Sequence, residues 1–301
     1  MDFAVLLDCA ENEIPKEVWS VIAVGGFNHR VPDALEQEEI RLQVENYLKN
    51  GVGGDVSGVG VSEARQQLWE RCYSEAELLP PFLVKPLGEP VRLSGRYVVP
   101  ESPLFEAHFL SVVRAYLFDK YFSDVREVAE FGCGTGHNLL ALARQQPSKV
   151  VFGLDWSKRA LDHVNQLRQL GVNAHAAEFD LLHPRSDLHF NLRRVGVLTV
   201  GALEQVGARF ENFLAFLCTH HPPICVHLEP IVELYDEAQV FDQLAIRYHR
   251  ARGYLEGFLP ALRRLEQRGL VEIMALHRIP FGSFYHEAYT YLVWRPVANE
   301  N

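Results

Sequence analysis

Between Val125 and Asp155 the chain places a short apolar run, three glycines at alternate positions, an amphipathic stretch and a second apolar run that stops at an acid. Few folds accommodate that order. Val128-Ala129-Glu130-Phe131 predicts a strand, and Gly132-Cys133-Gly134-Thr135-Gly136 a loop. A helix then starts near His137, with Leu139, Leu140 and Ala143 at helical spacing. Val150, Val151, Phe152 and Leu154 predict a second buried strand ending at Asp155. Residues without Cβ let the backbone turn tightly and let a ligand approach the main chain and the helix N-terminus. The unit is half of a nucleotide-binding α/β fold.

A dinucleotide fingerprint needs its third glycine one position later, where this chain has His137. That disfavours a hydride-transferring enzyme. The spacing Glu130-x-Gly132-x-Gly134-x-Gly136, with Asp155 about twenty residues on, resembles motif I and the following acidic motif of class I S-adenosylmethionine-dependent methyltransferases. The resemblance runs from roughly Tyr97 to Pro296 and is most specific between Glu130 and Asp180. It implies a Rossmann-like, doubly wound α/β fold whose mostly parallel sheet is closed by a C-terminal antiparallel hairpin. It also implies S-adenosylmethionine as cofactor and S-adenosylhomocysteine as product.

By the same resemblance, Glu130 and the loop residues Gly132, Cys133, Gly134 and Gly136 would hold the methionyl end, and Asp155 would accept hydrogen bonds from the ribose hydroxyls. Asp180 and Leu181 would recognise adenine, and Trp156 would either lie against it or pack in the scaffold. The stretch Thr199-Val200-Gly201-Ala202-Leu203-Glu204-Gln205 would form the loop facing cofactor and acceptor, so Thr199 counts as a cofactor contact and Glu204 as a catalytic candidate. The Asp/Asn-Pro-Pro-aromatic motif of adenine and glutamine methyltransferases is absent, which disfavours DNA or release-factor methylation. No metal is expected: Glu204, Glu229 and Glu233 make no compact acidic cluster, and no helical His-x-x-x-His pair occurs.

A net charge of −10 argues against a general nucleic-acid binder, because phosphate-backbone affinity rests on clustered Lys and Arg. The five cysteines, Cys9, Cys72, Cys133, Cys218 and Cys225, include no Cys-x-x-Cys and suit a reducing cytoplasm. Met1-Asp2-Phe3-Ala4-Val5 lacks the basic start of a signal peptide. No apolar run approaches the roughly 20 residues that span a bilayer, so a cytoplasmic protein without stable membrane insertion is expected. The oligomeric state is not fixed by the sequence.

Residues 1–96 read as a mostly helical appendage and residues 97–301 as the methyltransferase domain. Ala34 to Lys49 predicts an amphipathic helix with Ile40, Val44, Tyr47 and Leu48 on one face. Gly51 to Gly60 would be a flexible connector or a substrate-closing lid, and a helix would run from Ser62 past Tyr73. After a proline-punctuated linker, Arg92 to Pro100 predicts a hairpin and Leu104 to Phe122 a helix. Tyr97, Glu106, His108 and Arg114 are then either pocket residues or scaffold. Beyond Asp155, a helix capped by Ser157, strands at Val172–Phe179, Val195–Val200 and Ile224–Leu228, and helices at Phe210–Cys218 and Asp236–Arg268, the latter interrupted at Gly253, continue the alternation. Val271–Leu276 and Ala288–Trp294 predict the closing hairpin.

His227 and Glu229 are two apart on a strand and so share a face, as a general base and its orienting carboxylate or as a half-exposed polar pair. His286, in the aromatic loop Phe281 to Glu287, is a second candidate to take a proton. The expected activity is methyl transfer to an oxygen or nitrogen of a small molecule, a sugar or glycan precursor being favoured. The alternatives are a protein or peptide methyltransferase and a non-catalytic, S-adenosylmethionine-binding regulatory module.

Overall fold

In a computed structural model, residues 1–51 and 79–297 are described. The glycine-rich stretch after Gly51, the helix expected from Ser62, and Cys72 lie outside them. The central unit forms where the sequence places it: β4 (Glu127–Phe131), α5 (His137–Gln145) and β5 (Val150–Asp155). Then come α6 (Lys158–Leu167), β6 (Ala174–Glu178), β7 (Val195–Val200), α7 (Glu211–His220) and β8 (Cys225–Glu229). The expected long helix is two, α8 (Val240–Ala251) and α9 (Phe258–Gln267). Gly253 and Gly257 at φ +59° and +94° break it, and the Gly253 carbonyl fills the space a Cβ on Gly207 would need, 2.6 Å away.

β9 (Val271–Arg278) and β11 (Thr290–Pro296) complete a seven-stranded sheet of order β6-β5-β4-β7-β8-β11-β9. The first five strands are parallel, and β11 runs antiparallel to both of its neighbours. This is the Rossmann-like, doubly wound sheet with its closing C-terminal hairpin. Alternation along β4 sends Val128 into one apolar cluster with α4 (Phe105–Phe122) and α5, while Ala129 and Phe131 enter another with α7 and α9. Glu130 therefore faces α4 and α5.

The N-terminal stretch is built into the first of these clusters. Phe3, Leu6 and Leu7 of α1 (Phe3–Leu7) and Val18 of α2 (Lys16–Val24) pack in the same core as Phe109 and Val293. Helix α3 (Ala34–Lys49) has the expected limits, with Asp33 and Glu36 forming a capping box and Ile40 and Val44 buried. A second, antiparallel sheet takes β1 (His29–Arg30), β3 (Arg96–Pro100), β2 (Val91–Leu93) and β10 (Phe281–Gly282) in that order. The aromatic loop of the closing hairpin is thus pinned to β2. Only glycine fits at 282, where a Cβ would lie 2.3 Å from the His286 carbonyl.

A buried ionic group ties the two sheets together. Arg278 donates to both oxygens of Asp242 at 2.8 and 2.7 Å and to Glu287 at 2.6 Å, and the fully buried Arg92 lies 3.6 Å from Asp242 and 3.8 Å from Glu287. Removing one partner of such a group leaves an uncompensated buried charge, at about 3–5 kcal/mol. Arg278→Met is expected to lower stability by that order, measured by urea denaturation at neutral pH.

Candidate active site

Gly132, Gly134 and Gly136 all have positive φ, +74°, +51° and +73°. At Gly132 a Cβ would also meet that of Ala202 at 2.5 Å, so this glycine lets the loop after β4 touch the loop after β7. The loop's amides are not a free cradle. Gly132 and Cys133 both donate to the Leu154 carbonyl at 2.7 and 3.1 Å, Gly136 donates to the Cys133 carbonyl at 2.9 Å, and Gly134 donates to Asp155 Oδ2 at 3.0 Å. The expectation that these four residues grip the methionyl end is corrected to one of shape, since their donors are already used. The Cys133 thiol points inward, toward Gly153 and Leu139, and burial pushes its pKa well up.

The charge at this end comes from side chains. Asn138 donates to Glu130 Oε1 at 2.6 Å and accepts from Arg114 at 2.8 Å; Arg114 also donates to the Ser111 hydroxyl at 3.0 Å. Among the described residues Glu130 Oε2 and Arg114 Nε have no hydrogen-bond partner, although both groups are buried. Burial pushes Glu130 up to about 8 against the opposing Asn138 bond and Arg114 charge, and lowers Arg114 to about 10. His137 shares a hydrogen bond with the Thr135 hydroxyl through Nδ1, leaves Nε2 unpartnered, and is held neutral by burial and by Arg114.

One strand over, Asp155 accepts from the Gly134 and Ser157 amides at 3.0 and 2.9 Å. Burial raises its pKa against those bonds. The Trp156 amide bonds to it as well, which leaves part of a carboxylate's roughly four acceptor positions free. Trp156 beside it is 47% exposed. At the end of β6, Asp180 accepts from the Leu182 amide and pairs with His183, both at 2.8 Å, and Leu181 reaches toward Gly132. Asp180, Asp155 and Glu130 thus stand at three adjacent strand ends, where open α/β sheets take ligands.

On β7 and β8 the structure overturns three assignments. His227 is fully buried, bonded through Nδ1 to the Thr199 hydroxyl at 2.9 Å and flanked by Phe258 and Trp294; burial lowers its pKa to about 3. It is a packing residue and not a base. Thr199 is equally buried and its hydroxyl is committed to His227 and Glu229, which removes its side chain as a cofactor contact. Glu229 accepts from the Ala202, Leu203 and Glu204 amides at 3.0, 3.1 and 3.1 Å, with its pKa raised by burial to about 7. It clamps the loop after β7, and so positions Glu204 without itself meeting a substrate.

The other side of the site is aromatic. Tyr285 lies 4.6 Å from Tyr47 and stacks 4.8 Å from Tyr248, which also neighbours Tyr254 and His286. Glu204 bears electrostatically on the hydroxyls of Tyr248 and Tyr289. His286 is buried, leaves Nδ1 unpartnered, and is kept neutral by burial and by His249, Arg92, Lys85 and Arg252. Of the candidates from the segments flanking the hairpin, Arg114 joins Glu130 as above, and Glu106 accepts from Tyr289 at 2.8 Å. Tyr97 packs on Phe241, and His108 accepts from the Gly26 amide at 3.3 Å, away from the strand ends. Asn138, Tyr248, Arg252, Tyr254 and Tyr289 were not singled out from sequence. The one legible signal was Asn138, an amide opening the apolar face of α5.

The family model described as a methyltransferase domain matches residues 128–217. No curated protein matches the sequence. Among solved structures, the N-methyltransferase NodS from Bradyrhizobium japonicum WM9, in complex with S-adenosyl-L-homocysteine, is 13% identical over 77% of this chain and 98% of its own, with a TM-score of 0.49. The N,N-8-amino-8-demethyl-D-riboflavin dimethyltransferase RosA from Streptomyces davawensis is 15% identical over 64% of this chain, with a TM-score of 0.44. This chain spans 57% of that protein's length.

Proposed function

We infer, from a chain whose residues 128–217 match a methyltransferase-domain family model, that the protein is a class I S-adenosylmethionine-dependent enzyme that transfers a methyl group to an oxygen or nitrogen of a small molecule. The observation that carries this reading is the group Glu130, Asn138 and Arg114, a buried carboxylate and guanidinium each with an unpartnered atom, one strand away from Asp155. An α-amino acid needs one anion and one cation side by side, and a ribose needs a carboxylate with acceptor positions left. When bound, S-adenosylmethionine supplies a methyl on a positively charged sulfur. Glu130 would take its ammonium, Arg114 its carboxylate, Asp155 the ribose hydroxyls, and Asp180 with Leu181 and Trp156 the adenine side.

The chain's remaining work is to hold the acceptor. Fixing two reactants in line contributes about 7–11 kcal/mol, against the roughly 10²–10⁴-fold of a general base. The rigid clamp of Glu229 on the loop after β7 serves that positioning. In this reading Glu204, on the clamped loop and near the Tyr248 and Tyr289 hydroxyls, would accept the proton. His286, already neutral and disfavoured as a cation, is suited to accept a hydrogen bond from an acceptor hydroxyl. The ring faces and hydroxyls of Tyr47, Tyr248, Tyr254 and Tyr285 support a ring-shaped polar acceptor, and a sugar or glycan precursor is the finer reading.

Pairing with an ammonium favours the ionised carboxylate. Because burial holds Glu130 up to about 8 in the free protein, S-adenosylhomocysteine binding at pH 7 is expected to release up to roughly one proton. Calorimetric titration in two buffers of different ionisation enthalpy measures it. Glu130→Gln should bind without that release. If the unaltered protein releases none, the ammonium does not sit at Glu130.

A further inference from the structure

The far end of the aromatic cluster carries a guanidinium. Arg252, half-buried after α8, donates to the Tyr254 hydroxyl at 3.3 Å, lies 5.4 Å from that ring, and bears on Tyr248 and Tyr47. Among the described residues no carboxylate lies within ion-pair distance of it. Arg92 and Arg278, the other arginines packed near this loop, each have two carboxylates. A guanidinium stays charged at any working pH, so a half-buried one without a carboxylate invites an anion.

A second observation points the same way. His286, 7% exposed, leaves Nδ1 without a partner and sits 5.6 Å ring to ring from Tyr254 and 5.1 Å from Tyr248. The ionisable neighbours that bear most on it are His249, Arg92, Lys85 and Arg252, all cationic or potentially so. Arg92 is offset there by Asp242 and Glu287, and Lys85 by Glu106 at 3.3 Å, which leaves Arg252 as the cation beside the imidazole that no described carboxylate offsets. Glu204 and Arg252 both bear on the Tyr248 hydroxyl, so the cluster has a carboxylate and a guanidinium around one aromatic wall.

We propose that Arg252 is a specificity-determining residue that binds an anionic oxygen group, carboxylate or phosphate, on the acceptor, while the tyrosines and His286 hold the rest of the molecule. The proposal rests on the methyl-transfer reading and names the class of substrate within it: a ring-bearing acid. Bidentate pairing with a planar guanidinium is geometrically specific, so lysine keeps the charge and loses the fork.

The test uses the full chain loaded with S-adenosylhomocysteine and three probes titrated by calorimetry: 4-nitrophenyl glucuronide, its neutral counterpart 4-nitrophenyl glucoside, and 4-nitrophenyl phosphate. At least one anionic probe is expected to bind about tenfold or more tightly than the glucoside; which one does so separates a carboxylate from a phosphate ligand. Arg252→Gln should erase the preference, Arg252→Lys should retain part of it, and both should bind S-adenosylhomocysteine as the unaltered protein does. Equal binding of the three probes, binding of none, or an unchanged preference in Arg252→Gln overturns the proposal. Failure to bind S-adenosylhomocysteine in the first place overturns the methyl-transfer reading instead.

Discussion

Asp155→Ala is expected to weaken S-adenosylhomocysteine binding by about two to four orders of magnitude. Hydrogen bonds to a charged group contribute roughly 1.5–3 kcal/mol each, so two ribose hydroxyls on one carboxylate give about 3–6 kcal/mol, at 1.4 kcal/mol per tenfold. Alanine also frees the Gly134 and Ser157 amides that Asp155 holds at 3.0 and 2.9 Å, so the glycine loop loses its anchor to β5. Asp155→Asn, with one acceptor oxygen, should lie between. Calorimetry measures all three proteins, and circular dichroism checks that the sheet is intact. An affinity unchanged in Asp155→Ala would remove the ribose from this strand end.

That carboxylate was legible because local sequence specifies it: a buried strand, a glycine turn, a helix, and a second strand that ends on an acid. Each step needs only spacing. The same reasoning went astray at His227 and Glu229. Two residues apart on a strand do share a face, but the sequence does not say what covers it. Phe258 and Trp294, distant in the chain, close over His227, and the amides of 202–204 come to Glu229 from another strand. The loop amides misled for a related reason. Positive-φ glycines allow close approach, yet the Leu154 carbonyl and Asp155 approach first.

The centre of the second sheet was legible, the hairpin expected over Arg92 to Pro100 being β2 and β3, but its two edges were not. β1 and β10 are two residues long, too short to show alternation, and their pairing with β3 and β2 joins residues far apart in the chain. Arg114 could be seen because it interrupts an apolar helix, between Val113 and Ala115. Which charge it meets could not, since Glu130 comes from the strand beneath and Asn138 from the helix beyond.

Arg114→Met should be the most damaging substitution to the free protein's pH profile as well as to binding. It removes the guanidinium that Asn138 links to Glu130 and leaves that carboxyl buried without the nearby positive charge, at a cost of about 3–5 kcal/mol when the carboxyl is ionised. Glu130 escapes part of that by keeping its proton. Its pKa in the fold, about 8 with Arg114 present, rises further without the guanidinium that lowers it. A carboxyl group whose folded pKa lies above its unfolded value contributes stability that is fully present below the unfolded pKa and is lost as pH rises through the folded one. Both proteins lose stability as pH rises toward 8, but the unaltered protein levels off above about 8, where Glu130 ionises in the fold. Arg114→Met goes on losing it, so the penalty grows only above that pH, by up to about 1.4 kcal/mol per pH unit for one proton. Urea denaturation from about pH 5 to 9 should show parallel declines up to about pH 8 and a continued decline above it in Arg114→Met alone. The double substitution Arg114→Met with Glu130→Gln should flatten the profile again, because no ionisable group is left in the pair, while S-adenosylhomocysteine binding stays lost. A double variant that regained binding would mean the pair serves only the fold, and the methionyl end would have to be held elsewhere.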